Sequence, residues 1–206
     1  RPYLAGAGRM VGMKGFQKLI PLMRNLPEAD LRIAGTGPYE PTLRKLAEDL
    51  PNVHFEGLLS GPALARLFRG SRAVVVPSLF PETFGYVVME AFATGTPVIV
   101  HEGGGALLET GVQSGGGLGY RTEGDLLLAM RRMVHDDELR AELASRGYAK
   151  RIGPWSESEH VHRYMELIAD RRQARDARTS HRLDPAEPQI AAPQSRAIAS
   201  KRAAKN

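Results

Sequence analysis

Cysteine is absent from all 206 residues, which excludes a disulfide framework, a thiolate metal site and a cysteine nucleophile. No apolar run approaches the roughly 20 residues of a membrane-spanning helix. No basic stretch followed by an apolar segment opens the chain, so no secretory leader is expected there. The chain begins Arg-Pro rather than with Met, so it can belong to a longer protein. HExxH, the P-loop and the full GxGxxG are missing, and Gly35-x-Gly37 lacks its third glycine. These absences remove the commonest signatures of zinc peptidases, P-loop NTPases and dinucleotide-binding enzymes.

A basic body is missing too. The formal charge is +5, but nine of the 28 Lys and Arg and only three of the 23 Asp and Glu fall in 171–206. That leaves 19 basic against 20 acidic residues in 1–170. A neutral body argues against nucleic-acid binding. The tail after Asp170 has no aromatic residue and three Leu or Ile, too little apolar surface to offset its chain entropy. A disordered basic tail over 171–206 is expected, solvated or in contact with an anionic membrane surface. At 42% hydrophobic residues, a body of this length can bury roughly 70% of its unfolded surface.

The body alternates short apolar runs with amphipathic ones. Strands are expected at Tyr3–Ala7, Leu31–Ala34, Val53–Phe55, Ala73–Val76, Pro97–Val100 and Leu118–Tyr120. Helical periodicity covers Phe16–Leu26, Pro41–Leu50, Pro62–Phe68, Tyr86–Ala93 and Glu123–His135, then Glu138–Ala149 and Ser156–Asp170. This alternation predicts an α/β domain over 1–170, a Rossmann-like parallel six-stranded sheet with helices on both faces. Continuous runs such as VVV at 74–76 suit strands covered on both sides. Glycine and proline gather after strand ends, where the ligand crevice of an open parallel sheet lies.

The richest stretch is PSLFPETFGYVVMEAFATGTPVIV, 77–100. Glu82 falls in the loop before a helix, Glu90 within it, and the amides of Phe84 and Gly85 would stand free at its N-terminus as an anion site. By spacing alone the carboxylates have an ordinary explanation, Glu82 favouring the helix N-terminus and Glu90 facing solvent. The apolar neighbours of Glu90 weigh against it, because a buried carboxylate needs a partner or a ligand. Arg9 and Lys14, in GRMVGMKGF at 8–16, emerge at the same sheet edge. Taken alone they can be scattered surface charges; together with a helix N-terminus they suit a diphosphate. His160 and His162 do not share a helix face, so no metal site is expected. Trp155 is expected to serve packing.

These elements resemble the C-terminal, donor-binding half of retaining GT-B glycosyltransferases of family 4, from about Gly8 to Leu167. The resemblance rests on GR-x4-KG at 8–15, IAGTGP at 33–38, V-x-F-x-G at 53–57, PSLFPETFG at 77–85 and EAFATGTPVI at 90–99. Glu82 and Glu90 match the family's Glu-x7-Glu frame. GGGLGY at 115–120, Leu139-Arg140 and Trp155-Ser156 fit the end of that domain. Glu109 stands one position later than in the family's Gly-Gly-x-x-Glu element, and the first strand is poorer in β-branched residues than usual.

The resemblance implies a UDP-sugar or GDP-sugar as substrate, no cofactor, no required metal, and transfer with retention to a glycan, lipid or small-molecule acceptor. It implies that Arg9 and Lys14 bind the diphosphate and neutralise the leaving group, that these two and Glu82 are the catalytic residues, and that Gly8 is among the donor-binding ones. Glu82 would bind the donor sugar, with Thr83, Phe84, Gly85 and Tyr86 around it. Glu90 would bind the ribose, and Gly57 and Leu58 the base. It also implies an N-terminal Rossmann-like acceptor domain, for which this chain has no room. A cytoplasmic location is expected, with peripheral contact at the inner membrane face open to the tail. Two other readings use the same residues: a non-catalytic nucleotide-sugar module or half of a split enzyme, and an epimerase, which the intact Glu-x7-Glu frame disfavours.

Overall fold

The computed structural model describes residues 1–183, with side chains to residue 175. Six strands form one parallel sheet: β1 (Tyr3–Ala7), β2 (Asp30–Ala34), β3 (Val53–Gly57), β4 (Val74–Val76), β5 (Val98–His101) and β6 (Gly117–Tyr120). Their order is β3-β2-β1-β4-β5-β6, which reverses direction between β1 and β4. The helices are α1 (Phe16–Leu19), α2 (Glu40–Leu46), α3 (Gly61–Arg69), α4 (Tyr86–Ala93), α5 (Glu123–His135), α6 (Asp137–Ile152) and α7 (Glu157–Leu183). The expected fold class is the one observed.

The pleat distributes the apolar runs between two cores. Val74 and Val76 of β4 and Val98 and Val100 of β5 enter one core with Val88, Ala91 and Phe92 of α4. Val75 and Ile99 enter the other, with Phe16, Leu19, Leu31 and Ile33 and with Leu126 and Met130 of α5. That period of two, buried on both sides, is why these strands read as unbroken runs. Trp155 packs against the first of these cores, as expected. The small residues of β1 have a packing reason: a Cβ on Gly6 would stand 2.9 Å from Cε1 of the buried Phe16.

Three elements depart from expectation. The helix expected over Phe16–Leu26 is α-helical only to Leu19 and continues as a 3-10 helix, Ile20–Asn25. Pro21 lacks the N–H that would continue the α ladder. A π-helix, Leu108–Gln113, follows β5 where no regular element was expected. The last helix, expected to end at Asp170, runs to Leu183. The basic tail was expected from 171; its first part, RRQARDARTSHRL, continues this helix and holds five Arg, two Ala and no Gly or Pro. The rest of that expectation, 184–206, lies outside the described residues.

The chain divides into two units, Arg1–Val161 and His162–Asn206. The first contains the sheet and both cores. In the second, His162 Nε2 lies 3.3 Å from the Glu166 carboxylate one turn on. No described helix is long and apolar enough to cross a membrane.

Candidate functional site

The site forms where the strand order reverses, outside the carboxyl ends of β1 and β4. After β1 the chain is pinned to the exit of β2: Gly8 donates to the Ala34 carbonyl at 3.1 Å and Met10 to that of Thr36 at 2.9 Å. Arg9 projects outward and is exposed. One 3-10 turn, Gly12–Lys14, then delivers Lys14 to the edge. A Cβ on Gly15 would lie 1.8 Å from the Pro77 carbonyl oxygen, so the loop after β1 seats directly on the end of β4.

After β4, Ser78 is almost fully buried and its hydroxyl donates to Glu82 Oε1 at 2.7 Å. The Lys14 ammonium donates to the same oxygen and forms an ion pair with it. Burial pushes the Glu82 carboxyl up, but hydrogen bonds from Lys14 and Ser78, with the lysine's charge, outweigh it and hold the group below the usual glutamate value. The Glu82 main chain is held from the other side. Its N–H donates to Gly104 and its carbonyl accepts from Ala106, at 2.9 and 3.0 Å.

Thr83 and Phe84 lead into α4, and the Phe84 and Tyr86 rings lie 5.1 Å apart, tilted by 58°. Among the described residues no acceptor meets the amides of Phe84 and Gly85, so they stand free at the helix N-terminus. Gly85 caps α4 in the left-handed region, φ 80°, which favours glycine. Its missing side chain faces inward: a Cβ would lie 2.7 Å from Leu107 Cδ2. The glycine therefore serves backbone conformation and packing.

Two clefts adjoin here. One, about 570 Å³, runs between Gly8, Arg9 and the Gly35–Pro38 loop on one side and Leu58, Leu59, Leu64 and Glu90 on the other. The second, about 330 Å³, is bounded by Lys14, Ser78, Glu82, Thr83, Gly85 and Tyr86. Ala7, Gly8, Arg9 and Val87 line both, placing Arg9 at the junction. Glu90 is exposed, against the burial its apolar neighbours suggested, yet partial desolvation pushes its carboxyl above the usual value. The structure thus brings Gly8, Arg9, Lys14, Leu58, Glu82, Thr83, Gly85, Tyr86 and Glu90 to one edge. Gly57 and Phe84 line neither cleft; the Gly57 carbonyl accepts from the Gly35 amide at 2.6 Å.

Sequence reasoning assigned no role to Ser78 or to Thr36, Pro38, Leu59 and Leu64. The glycines at 35 and 37 marked the β2 exit, but nothing local marks which serine a distant loop will bury. Among the described residues no group of three or more His, Asp and Glu could hold a metal ion.

The sequence matches the family described as glycosyl transferases group 1 over residues 1–150. The chain belongs to this family. It is similar to a GDP-mannose-dependent monoacylated α-(1-6)-phosphatidylinositol monomannoside mannosyltransferase of Corynebacterium glutamicum, 34% identical over 167 residues, which cover 75% of this chain and 44% of that one. In structure it resembles the C-terminal domain of a group 1 glycosyl transferase from Francisella tularensis, with a TM-score of 0.65 at 21% identity, covering 75% of this chain and 87% of that one. It also resembles an Anabaena protein, HepE, solved with UDP-glucose, with a TM-score of 0.74 at 20% identity, covering 82% and 48%. Both structures share its fold, the C-terminal half of GT-B. The chain spans between 27% and 50% of the length of the first curated relatives it matches.

Proposed function

We propose that this domain binds a nucleotide-diphosphate sugar and presents it for retaining transfer of the sugar, as the donor half of a hexosyltransferase. The observation that carries the reading is the pair of adjoining clefts with a cation at their junction and a carboxylate in each. Arg9 sits where a diphosphate would bridge a nucleoside in the Glu90 cleft and a sugar in the Glu82 cleft. Glu90 would accept from ribose hydroxyls and Glu82 from those of the sugar. The amides of Phe84 and Gly85, with Arg9 and Lys14, would stabilise charge on the departing diphosphate. That is electrostatic catalysis by groups already in place. Main-chain groups of Leu58, in the wall of the larger cleft, would meet the base. Turnover in this reading calls for a second Rossmann-like domain to hold the acceptor.

Similarity to the mannosyltransferase and to the UDP-glucose-bound structure supports both GDP-linked and UDP-linked sugars as probes. Calorimetry with UDP, UDP-glucose, GDP and GDP-mannose tests the reading. One nucleoside diphosphate should bind in the micromolar to millimolar range, and its sugar form more tightly. Glu90→Ala should weaken both. Absence of binding by all four, or equal affinity of wild type and Glu90→Ala, would overturn it.

A further inference from the structure

Ser78 is held at both ends of its polar groups. Its hydroxyl donates to Glu82 Oε1 at 2.7 Å, and its carbonyl lies 3.1 Å from His101 Nδ1. A carbonyl oxygen can only accept, so Nδ1 carries the proton. His101 is the last residue of β5, which makes this bond a tie between the exits of two neighbouring strands. The imidazole is itself confined. The Tyr120 ring lies against it at 5.2 Å, tilted by 42°. The Gly103 backbone is so near that a Cβ there would stand 2.9 Å from Cε1. A ring wedged this way has little rotamer freedom and can fix the group it bonds.

The polar chain therefore runs His101, Ser78, Glu82, and ends on the carboxylate that faces the smaller cleft. We infer that His101 is a positioning residue: by fixing the Ser78 peptide it aims the Ser78 hydroxyl, and so orients Glu82 toward the sugar of the donor. This rests on the donor-domain reading for the sugar, while the orientation of Glu82 is a property of the ligand-free chain. His101 touches neither cleft, so it acts only through Ser78.

The test has one readout without ligand and one with it. In the full chain carrying ¹³C-labelled glutamate, the Glu82 carboxyl should titrate below an ordinary glutamate in wild type. It should titrate higher in Ser78→Ala and in His101→Ala. In His101→Asn, whose amide nitrogen replaces Nδ1, it should return towards the wild-type position. Calorimetry should show the preference for UDP-glucose over UDP, or GDP-mannose over GDP, falling about three- to tenfold in His101→Ala, the loss expected of one neutral hydrogen bond. Affinity for the nucleoside diphosphate alone should stay unchanged, and His101→Asn should restore the preference. Should His101→Ala not fold, His101→Gln takes its place, since its amide sits one bond too far out. A Glu82 titration identical in wild type and the His101 variants overturns the inference. Equal loss of both ligands in His101→Ala, without rescue by His101→Asn, overturns it as well. A wild type without preference for the sugar form counts against the donor reading instead, and the titration then decides the positioning alone.

Discussion

Lys14 and Glu82, 68 positions apart in the chain, form an ion pair in the ligand-free site, and Ser78 donates to the same carboxylate oxygen. A diphosphate that draws Lys14 toward itself competes with this carboxylate for the ammonium, while Oε2 of Glu82, which neither Lys14 nor Ser78 contacts, is left for a sugar hydroxyl. The two halves of a donor would thus be coupled through this one carboxylate.

That coupling separates the two residues by experiment. Glu82→Gln leaves Lys14 without its competing anion. For a half-buried pair worth about 1 kcal/mol, UDP or GDP should then bind about fivefold tighter. The sugar form should lose its advantage over the free diphosphate. Lys14→Ala should weaken both ligands about tenfold or more, since a charge-assisted contact contributes about 1.5–3 kcal/mol. Calorimetry decides; unchanged diphosphate affinity in Glu82→Gln would show that the pair does not compete with the ligand.

Glu90 has the opposite electrostatic setting. Burial raises its carboxyl above the ordinary value of 4.5, so over the interval between the two values the folded chain binds more protons than the unfolded one. Stability then falls as pH rises through that interval, and the whole penalty is present at neutral pH. Glu90→Gln should raise the melting temperature at pH 7 while weakening nucleotide binding, a trade expected at a binding residue. The gain should vanish as pH drops below 4.5. A thermal-melt series in which the gain is absent at pH 7, or persists unchanged below pH 4.5, would show that burial does not disfavour the Glu90 carboxylate.

Much of this arrangement was legible in the sequence. Helix α4 was bounded correctly at Tyr86–Ala93 because Gly85 and Gly95 flank it and Pro97 opens the next strand. Strand ends carried glycine and charge, which placed Arg9, Lys14, Glu82 and Glu90 on one edge. What stayed hidden has a common cause: it depends on tertiary partners. The pairing of Lys14 with Glu82, the burial of Ser78 and the bond from His101 join segments whose meeting no local period records. The extension of α7 to Leu183 was missed for another reason. Charge and low apolar content argue against burial, but not against a helix in a stretch of good helix formers.

Gly85→Ala tests the geometry at the head of α4. The left-handed φ costs about 1–2 kcal/mol for a residue with a Cβ, and Leu107 Cδ2 stands 2.7 Å from where that Cβ would be. Melting temperature should fall clearly, and Leu107→Ala in the same chain should recover only part of the loss, because it relieves the clash but not the backbone. Full recovery would mean that the φ carries no cost here.

The residues beyond Leu183 should be dispensable for fold and binding. Every residue lining the two clefts belongs to the unit Arg1–Val161, and so do both cores, with Trp155 packed against one of them. The segment 184–206 has no aromatic residue and prolines at 185, 188 and 193, so it offers little surface for a core to gain. A chain ending at Leu183 should keep the melting temperature and the nucleoside-diphosphate affinity of the full one. The basic residues removed can still matter elsewhere, since each contributes about 1 kcal/mol near an anionic membrane. Co-sedimentation of both chains with anionic vesicles at low and high salt separates that contribution from the fold. A drop of several degrees on truncation would assign the segment to the folded domain and move the domain's end past Leu183.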